Sequence, residues 1–520
     1  MTDWLLVLAV ALFFFFWKLS AFGLIGADEP RYAQVAREML ERHDWVTPTL
    51  NGSAWLEKPP LYYWQAVVAY KIFGVSDWAA RLPSGCDALL MVLAVYWFLR
   101  GFRSGVELDG ALMVATTAGA VGFARAAAMD MPLAATFTIA MLAWSAWRER
   151  GGKKYLAAFY IFLALAMLAK GPVAPFLALV VIAVLALVER AAGTLSKTAW
   201  APGLGLFGAV ALPWYVLVQL RNPRFFHEFI FEHNLARFGT NLYHHSEPFW
   251  YFLPVALIGW VPWAVLVAAA VLLAAKKTAR PAADPFRRFL LVWIAVVVIF
   301  FSFSQSKLPG YILPAIPPGA LLVAELVHDR QPGGLFRRLR VLVFSLHGAL
   351  VGALVFCALL IQSLILARHV PAGARAAPLA AASAIAVATV ICLLRFGPRS
   401  LGRVTLVPLV LAVAVALRWG AGPVDDTLSA RPLTRELARF DPHRLPLAVF
   451  LVPRETEFGL AFYRNQWISR YELDQVPRGE HLVVAAAGFR QSIAAKTGRR
   501  PVYLGSFRAQ KLEYFYVPSS

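Results

Sequence analysis

Cysteine and charged residues are both scarce in this chain of 520 residues. The three cysteines, Cys86, Cys357 and Cys392, show no CxxC spacing, so we predict neither a disulfide framework nor a cysteine metal site. Charged residues make up only 15% of the sequence. We find no internal repeat and no glycine motif for nucleotide binding. These absences leave apolar patterning as the main source of information.

Apolar residues dominate the sequence. They account for 59% of it, whereas an ordinary soluble domain contains roughly 45–50%. A helix that crosses a bilayer needs about 20 mainly apolar residues. We therefore predict an α-helical polytopic membrane protein with about thirteen transmembrane helices. The predicted spans are residues 4–24, 82–100, 107–124, 131–147, 155–169, 173–189, 201–219, 251–275, 287–304, 311–327, 341–366, 376–394 and 404–419.

The net charge of +20 is best explained by membrane topology. Lys and Arg are spread among short loops and do not form a stripe with aromatic residues, so we expect no nucleic-acid partner. Loops rich in Lys and Arg face the cytoplasm, and four such loops alternate with poorly charged ones: residues 148–154, 276–288, 330–340 and 395–403. An odd number of spans then places the N-terminus in the cytoplasm and the C-terminus on the opposite side.

The chain is predicted to have two domains. Residues 1–420 form the transmembrane domain, which contains two long exported loops, residues 25–81 and 221–250. Long loops in compact domains usually have a function, so we expect the functional residues in these two loops. The first of these loops is predicted to contain two interfacial helices, one starting near Pro30 and one over Leu61 to Phe73. Residues 421–520 alternate between strand-like and helix-like segments, which indicates a small α/β domain.

Acidic residues gather on the exported side. Asp28 and Glu29 follow the first span, Glu57 lies in the first long loop, and Asp130 stands at the exported mouth of the fourth span. Helix capping would explain Asp28 alone, and a surface ion pair with Lys58 would explain Glu57. Neither explains why three acids converge, and together Asp28, Glu57 and Asp130 could polarise a hydroxyl or hold a divalent cation.

Basic residues share that side of the membrane. A phosphate group entering between the helices would need such donors, although anchoring to bulk phospholipid is the alternative for any one of them. Pro309 and Gly310 break the helix at membrane depth beside Lys307 and Tyr311, which indicates a lined cavity. The basic residues on this side are Arg31, Lys58, Lys170, Arg237 and Lys307.

The second long loop is rich in histidine. Nitrogen ligands of this kind could complete a metal site with the carboxylates, and interfacial packing of the rings is the alternative. The histidines are His227, His233, His244 and His245.

Several long motifs match a known family. The motifs run from Asp28 to Ala33, from Trp55 to Trp64, from Arg125 to Leu133, over Glu232-His233-Asn234 with Arg237-Phe238, from Pro248 to Tyr251, and from Ser306 to Pro314. They resemble the motifs of the aminoarabinose transferases, bacterial relatives of the protein O-mannosyltransferases, and they occur in that family's order over most of the first 320 residues.

The resemblance implies a GT-C glycosyltransferase fold in the bacterial inner membrane, with a periplasmic C-terminal domain. It also implies that a sugar moves, with inversion, from a polyprenyl phosphate to lipid A or a related envelope acceptor. Asp28, Asp130 and Glu57 would then be catalytic or hold a divalent cation, and Arg31, Lys58, Lys307 and Tyr311 would bind the donor phosphate. Glu29, His233 and Arg237 would line the cavity or meet the acceptor.

Two other functions stay open at this point. A related enzyme could transfer a lipid-linked sugar to protein Ser/Thr or to another glycan. A lipid or solute transporter is the alternative from a different class, but transporters commonly show paired halves and ionisable groups near mid-span. Here the charged residues lie at one interface instead.

Overall fold

A computed structural model describes residues 3–191, 193–229, 231, 247–278, 284–329, 334–367, 376–441, 444–474 and 476–519. The predicted His233, Arg237, His244 and His245 lie outside these residues.

Long apolar helices make up most of residues 3–428, and each predicted span overlaps at least one of them. Among the described residues, seven helical segments are long and apolar enough to cross a membrane, and a bent pair would be an eighth. The number of about thirteen spans stays a prediction. The helices are α1 (Asp3–Phe16), α2 (Asp28–Glu41), α3 (Leu61–Phe73), α4 (Asp77–Phe102), α5 (Glu107–Thr116), α6 (Ala118–Ala124), α7 (Asp130–Arg150), α8 (Lys153–Lys170), α9 (Val173–Val188), α10 (Gly193–Thr198), α11 (Ala201–Arg221), α12 (Phe252–Gly259), α13 (Ala264–Thr278), α14 (Pro285–Ser302), α15 (Ile316–Val327), α16 (Gly334–Ala367), α17 (Ala376–Phe396), α18 (Leu401–Val415), α19 (Ala421–Leu428) and α20 (Arg431–Phe440).

Two predicted spans are broken. The span over 107–124 divides at Thr117, whose extended backbone ends α5 and whose hydroxyl accepts a hydrogen bond from the amide of Ala120 in α6. The span over 251–275 is two helices, α12 and α13, bent by 117°. Pro262 lies in the bend and has no amide hydrogen to continue a helix.

The two helices predicted in the first long loop are present as α2 and α3, and their position at the membrane interface stays a prediction. Between them a short hairpin pairs β1 (Thr49–Leu50) with β2 (Ser53–Ala54) around Asn51-Gly52, a dipeptide that favours tight hairpin turns. Glu38 of α2 accepts hydrogen bonds from the amides of Asn51 and Gly52 at 2.8 and 3.1 Å. The loop is therefore fastened to α2.

The C-terminal segment contains five strands and two helices: β3 (Leu447–Phe450), α21 (Arg454–Arg464), β4 (Ile468–Arg470), β5 (His481–Ala486), α22 (Arg490–Thr497), β6 (Val502–Phe507) and β7 (Leu512–Val517). The strands form one sheet in the order β4-β3-β5-β7-β6. Strand β3 pairs in parallel with β4 and β5, while β7 runs antiparallel to β5 and β6. The sequence pattern did not predict β4 or α22, which have only 3 and 8 residues.

This C-terminal sheet domain packs on α2 through helix α21. Arg37 of α2 donates to the carbonyl oxygen of Phe462 at 2.7 Å, and its guanidinium lies over the Phe462 ring. The amide of Leu24 donates to the Tyr463 hydroxyl at 2.7 Å. The sheet domain thus lies directly above the first long loop. Its predicted boundary at residue 421 stays a prediction.

A buried ion pair joins α2 to α4. Arg81 is fully buried and its guanidinium donates to Glu29 at 2.6 Å. It also donates to the carbonyl oxygens of Leu19, Phe22 and Gly23, at 3.1, 2.8 and 2.8 Å. One side chain therefore binds both α2 and the segment that connects α1 to α2.

We expect Arg81→Gln to lower the free energy of unfolding by about 3–5 kcal/mol, because it leaves the Glu29 carboxylate buried without its partner. Thermal unfolding in detergent measures this. Arg221→Gln is the control, since Arg221 pairs with Asp44 while being 54% exposed, and such pairs contribute about 0–1 kcal/mol. Equal melting temperatures for the two variants would contradict the assigned role of Arg81.

Candidate active site

Arg31 is the centre of the first cluster of charged residues. Its guanidinium donates to Asp28 at 2.5 Å and lies 4.0 Å from the Glu57 carboxylate. Aromatic rings surround it: Tyr32 at 5.2 Å, Trp55 at 5.1 Å and Phe458 of the sheet domain at 5.7 Å. Burial disfavours its charged form, but the pKa of Arg31 is raised overall by Tyr32, Asp28 and Glu57. Arg31 therefore stays a cation.

Asp28 is the first residue of α2 and is not its N-cap. The N-cap is Ala27, with no side-chain capping bond, so the capping explanation of Asp28 is wrong. The carboxylate bonds to Arg31 three residues along the helix instead. Its side chain is 52% exposed, against 11% for Arg31. Asp28 thus offers an open carboxylate on a buried cation.

A second ion pair joins Asp130 to Lys170. Asp130 begins α7 and Lys170 ends α8, and the two helices pack together, so their carboxylate and ammonium meet at 2.5 Å. Each charge suits the dipole of its helix end. The Lys170 ammonium also lies 4.7 Å from the centre of the Tyr311 ring. The broken segment at Pro309 is a 3-10 turn, and it brings Tyr311 to this pair.

The three predicted acids belong to two groups of charges. Arg31 bonds to Asp28 and lies 4.0 Å from Glu57, whereas Asp130 pairs with Lys170. The pKa of Tyr32 is raised first by burial and then by Asp28, Glu57 and Asp130, while Arg31 lowers it. The convergence of all three acids on one site stays a prediction. The catalytic roles of the three acids stay predictions.

Other predicted residues lie elsewhere. Glu29 is buried against Arg81 and accepts from the amide of Ala127 at 2.9 Å, so its carboxylate does not face the open side of Asp28. Lys307 is buried and donates to the carbonyl oxygen of Glu247 at 2.9 Å. Lys58 is half-buried. His227 is exposed, with its ring 5.7 Å from Phe231.

The three-carboxylate metal site is not supported by the geometry. In the part of the chain that the structure describes, no three His, Cys, Asp or Glu residues are grouped to hold a metal ion. Asp28 and Asp130 are each bonded to a cationic side chain at 2.5 Å. We derive no step through a metal.

An apolar groove of about 240 Å³ lies beside the second pair. Phe123 belongs both to the groove and to the surroundings of Gly310, where a side-chain Cβ would lie 2.6 Å from Asp130 Cγ and 2.9 Å from the Phe123 ring. The groove therefore approaches the Asp130–Lys170 pair. Its walls come from α6, α12 and the turn at Pro309, and they include Gly119, Gly122, Phe123, Ala126, Val255, Ile258, Gly259, Ile312, Leu313 and Ile316.

Comparison with known structures identifies the fold. The chain superposes on the crystal structure of ArnT from Cupriavidus metallidurans bound to undecaprenyl phosphate with a TM-score of 0.80, at 23% identity, over 99% of this chain and 98% of that one. An Archaeoglobus fulgidus oligosaccharyltransferase gives a TM-score of 0.52 at 14% identity, over 95% and 71%. The chain is thus a multi-pass membrane protein with the GT-C glycosyltransferase fold.

Sequence comparison gives the family relationship. The family model described as dolichyl-phosphate-mannose-protein mannosyltransferase matches residues 4–230. Undecaprenyl phosphate-alpha-4-amino-4-deoxy-L-arabinose arabinosyl transferases of Aeromonas salmonicida and Yersinia enterocolitica are 30% and 33% identical over 66% and 58% of this chain. These matches span 62% and 55% of the relatives' own lengths. The resemblance to the aminoarabinose transferases and their mannosyltransferase relatives is therefore confirmed.

We expect Gly310→Ala to push Asp130 away from Lys170, because the added methyl group would overlap the Asp130 carboxylate. Overpacking of this kind costs about 1–3 kcal/mol, measured as thermal unfolding in detergent. Gly101→Ala is the control, since a Cβ there meets no atom within 4 Å and alanine stabilises a helix by about 0.5–1 kcal/mol. A Gly310→Ala protein as stable as Gly101→Ala would show that the close approach is not required.

Proposed function

We propose that this chain is an inverting glycosyltransferase that moves 4-amino-4-deoxy-L-arabinose from undecaprenyl phosphate to lipid A or a related envelope acceptor. The observation that carries the proposal is the half-exposed Asp28 carboxylate on the buried Arg31 cation, together with the Asp130–Lys170 pair beside an apolar groove. The names of the relatives at 30% and 33% identity support the sugar and the lipid.

The donor needs an apolar site and a cationic site side by side. In the proposal, the first isoprene units of the polyprenyl chain occupy the groove between α6 and α12, which has an almost wholly apolar lining. The phosphate lies between Arg31 and Lys58 on one side and Tyr311 on the other. Lys307 is the weaker candidate, because its ammonium already donates to Glu247.

The reaction breaks the bond between the anomeric carbon and the phosphate oxygen. The acceptor oxygen attacks the anomeric carbon from the opposite face, and the electron pair of the broken bond leaves with the phosphate. The leaving polyprenyl phosphate needs no protonation, only donors that stabilise its growing charge. Arg31 suits this role because it stays cationic and its orientation is constrained by three aromatic rings.

The acceptor determines what Asp28 does. A hydroxyl acceptor must lose a proton, and the Asp28 carboxylate is the base that takes it. A lipid A phosphate is already anionic and brings no such proton, so Asp28 then helps to position it through Arg31. Protein Ser/Thr is the second acceptor class, favoured by the match of residues 4–230 to the protein mannosyltransferase model.

The proposal includes an orientation in the bacterial inner membrane. The N-terminus is cytoplasmic, in keeping with the basic loops on that side, and the acids of the first long loop face the periplasm. Residues 421–520 then form a periplasmic domain above the site. His233 and Arg237 lie outside the described residues, and their part in binding the acceptor stays a prediction.

We expect Asp28→Asn to lower kcat by roughly 10²- to 10⁴-fold if the acceptor is a hydroxyl, because the amide cannot take the proton. The measurement uses purified protein, labelled polyprenyl-phosphate sugar and either lipid A or a Ser/Thr peptide. Glu41→Gln is the control, since Glu41 lies exposed at the other end of α2. Wild-type protein that releases no polyprenyl phosphate with any acceptor would contradict the transferase function.

Filling the groove tests the lipid site separately. Gly122→Leu points a side chain into open space, since a Cβ at Gly122 meets no atom within 4 Å. We expect it to raise the KM for a donor with a long polyprenyl chain by about tenfold, equivalent to about 1.4 kcal/mol of binding, and to affect a donor with one isoprene unit much less. Gly101→Leu, at the far end of α4, serves as the matched control. Equal effects on both donors would place the lipid chain elsewhere.

A further inference from the structure

Three buried hydrogen-bond donors near Arg31 lack a partner among the described residues. They are Arg31 Nε, Trp55 Nε1 and Tyr63 Oη. Buried polar groups are nearly always hydrogen-bonded in folded proteins, so an unpaired group calls for a physical reason. Three such groups in one cluster call for one shared physical reason.

Tyr62, the residue before Tyr63, has a hydroxyl group that is hydrogen-bonded. Tyr62 and Tyr63 are consecutive on α3 and both are fully buried. The Tyr62 hydroxyl donates to the carbonyl oxygen of Ala80 at 2.9 Å and so joins α3 to α4. The Tyr63 hydroxyl makes no such bond. Packing alone would be served as well by phenylalanine at position 63.

The unpaired donors belong to one neighbourhood. The Trp55 ring centre lies 5.1 Å from the Arg31 guanidinium. The Tyr32 ring centre lies 5.2 Å from the Arg31 guanidinium and 6.3 Å from the Tyr63 ring centre. Burial raises the pKa of Tyr63. The hydroxyl therefore keeps its proton. Tryptophan and arginine are donors only, so the cluster offers hydrogen atoms and needs oxygen acceptors.

We propose that Tyr63 Oη, Trp55 Nε1 and Arg31 Nε form a donor subsite for oxygen atoms at the head-group end of the lipid-linked substrate. These oxygens are either non-bridging phosphate oxygens or hydroxyl oxygens of the sugar. The inference rests on the proposed function and adds two binding residues, Tyr63 and Trp55, to it. The donor atoms are buried, so the side chains that cover them must shift for the ligand to enter.

Tyr63→Phe and Tyr62→Phe form a matched pair, each removing one buried hydroxyl from the same helix. Tyr63→Phe should leave the melting temperature of the lipid-free protein unchanged or raise it, because it removes an unsatisfied polar group. It should weaken binding of the lipid-linked sugar by roughly tenfold. Tyr62→Phe should do the reverse: it loses the bond to Ala80, which lowers the melting temperature, and it leaves the dissociation constant unchanged.

Two lipids separate the two sources of oxygen. Binding of undecaprenyl phosphate alone and of the same lipid carrying the sugar is measured by titration into purified full-length protein in detergent. Weaker binding of both lipids by Tyr63→Phe assigns the subsite to the phosphate. Weaker binding of the sugar-bearing lipid alone assigns it to the sugar. Trp55→Phe should show the same pattern as Tyr63→Phe, with weaker binding of both lipids or of the sugar-bearing lipid alone.

The inference is overturned if Tyr63→Phe binds both lipids as tightly as the wild type, or if Tyr62→Phe weakens binding as much. In those cases the wild type still binds the lipids and the proposed function stands. A wild-type protein that binds neither lipid would overturn the proposed function and this inference together.

Discussion

The buried pair between Glu29 and Arg81 is the interaction on which the geometry of the site depends. Arg81 donates to carbonyl oxygens of the segment between α1 and α2, and Glu29 accepts from the amides of Ile25 and Ala127. Ala127 lies three residues before Asp130. One carboxylate therefore connects the start of α2, which carries Asp28, with the segment that leads into Asp130. Glu29 acts as the support of the site, and the adjacent Asp28 is its exposed acid.

Burying charges in a membrane protein is costly unless each is paired, and the site follows this rule. Arg125 donates to the carbonyl oxygens of Phe14, Trp17 and Lys18, at 3.3, 2.9 and 2.8 Å, and so satisfies the open C-terminal end of α1. Lys170 neutralises Asp130, and Arg31 neutralises Asp28. Buried polar atoms without a partner occur at several places in the described part of the chain, and three of them, on Arg31, Trp55 and Tyr63, lie where a charged substrate is proposed to bind.

The sheet domain contributes to the site through helix α21. Its Phe458 ring lies against Arg31, while Phe462, four residues later on α21, lies against Arg37, six residues later on α2. The same face of α21 therefore packs on two arginines of α2, only one of which belongs to the candidate site. A domain that the motifs left without a role is in contact with the proposed phosphate-binding residue.

Local sequence patterns predicted many of the helices and the family resemblance. Apolar runs predicted the helices, the helix over Leu61–Phe73 has the predicted bounds, and the motifs around Asp28, Glu57 and Asp130 indicated the family. Asp28 and Glu29 are adjacent acids, however, and no local pattern tells which one turns toward the cavity. That depends on where Arg81 lies, 52 residues further along the chain. Likewise, Tyr62 and Tyr63 look equivalent in sequence.

Residue types and their spacing were thus enough for the fold class and for most of the helices, because hydrophobic burial and helix formation depend on short stretches of chain. The partner of each polar side chain followed from the fold, since hydrogen bonds form between atoms brought within about 3 Å by distant segments. For that reason only the structure shows that Glu29 is buried against Arg81, that the Asp28 carboxylate is exposed, and that the Tyr63 hydroxyl has no acceptor.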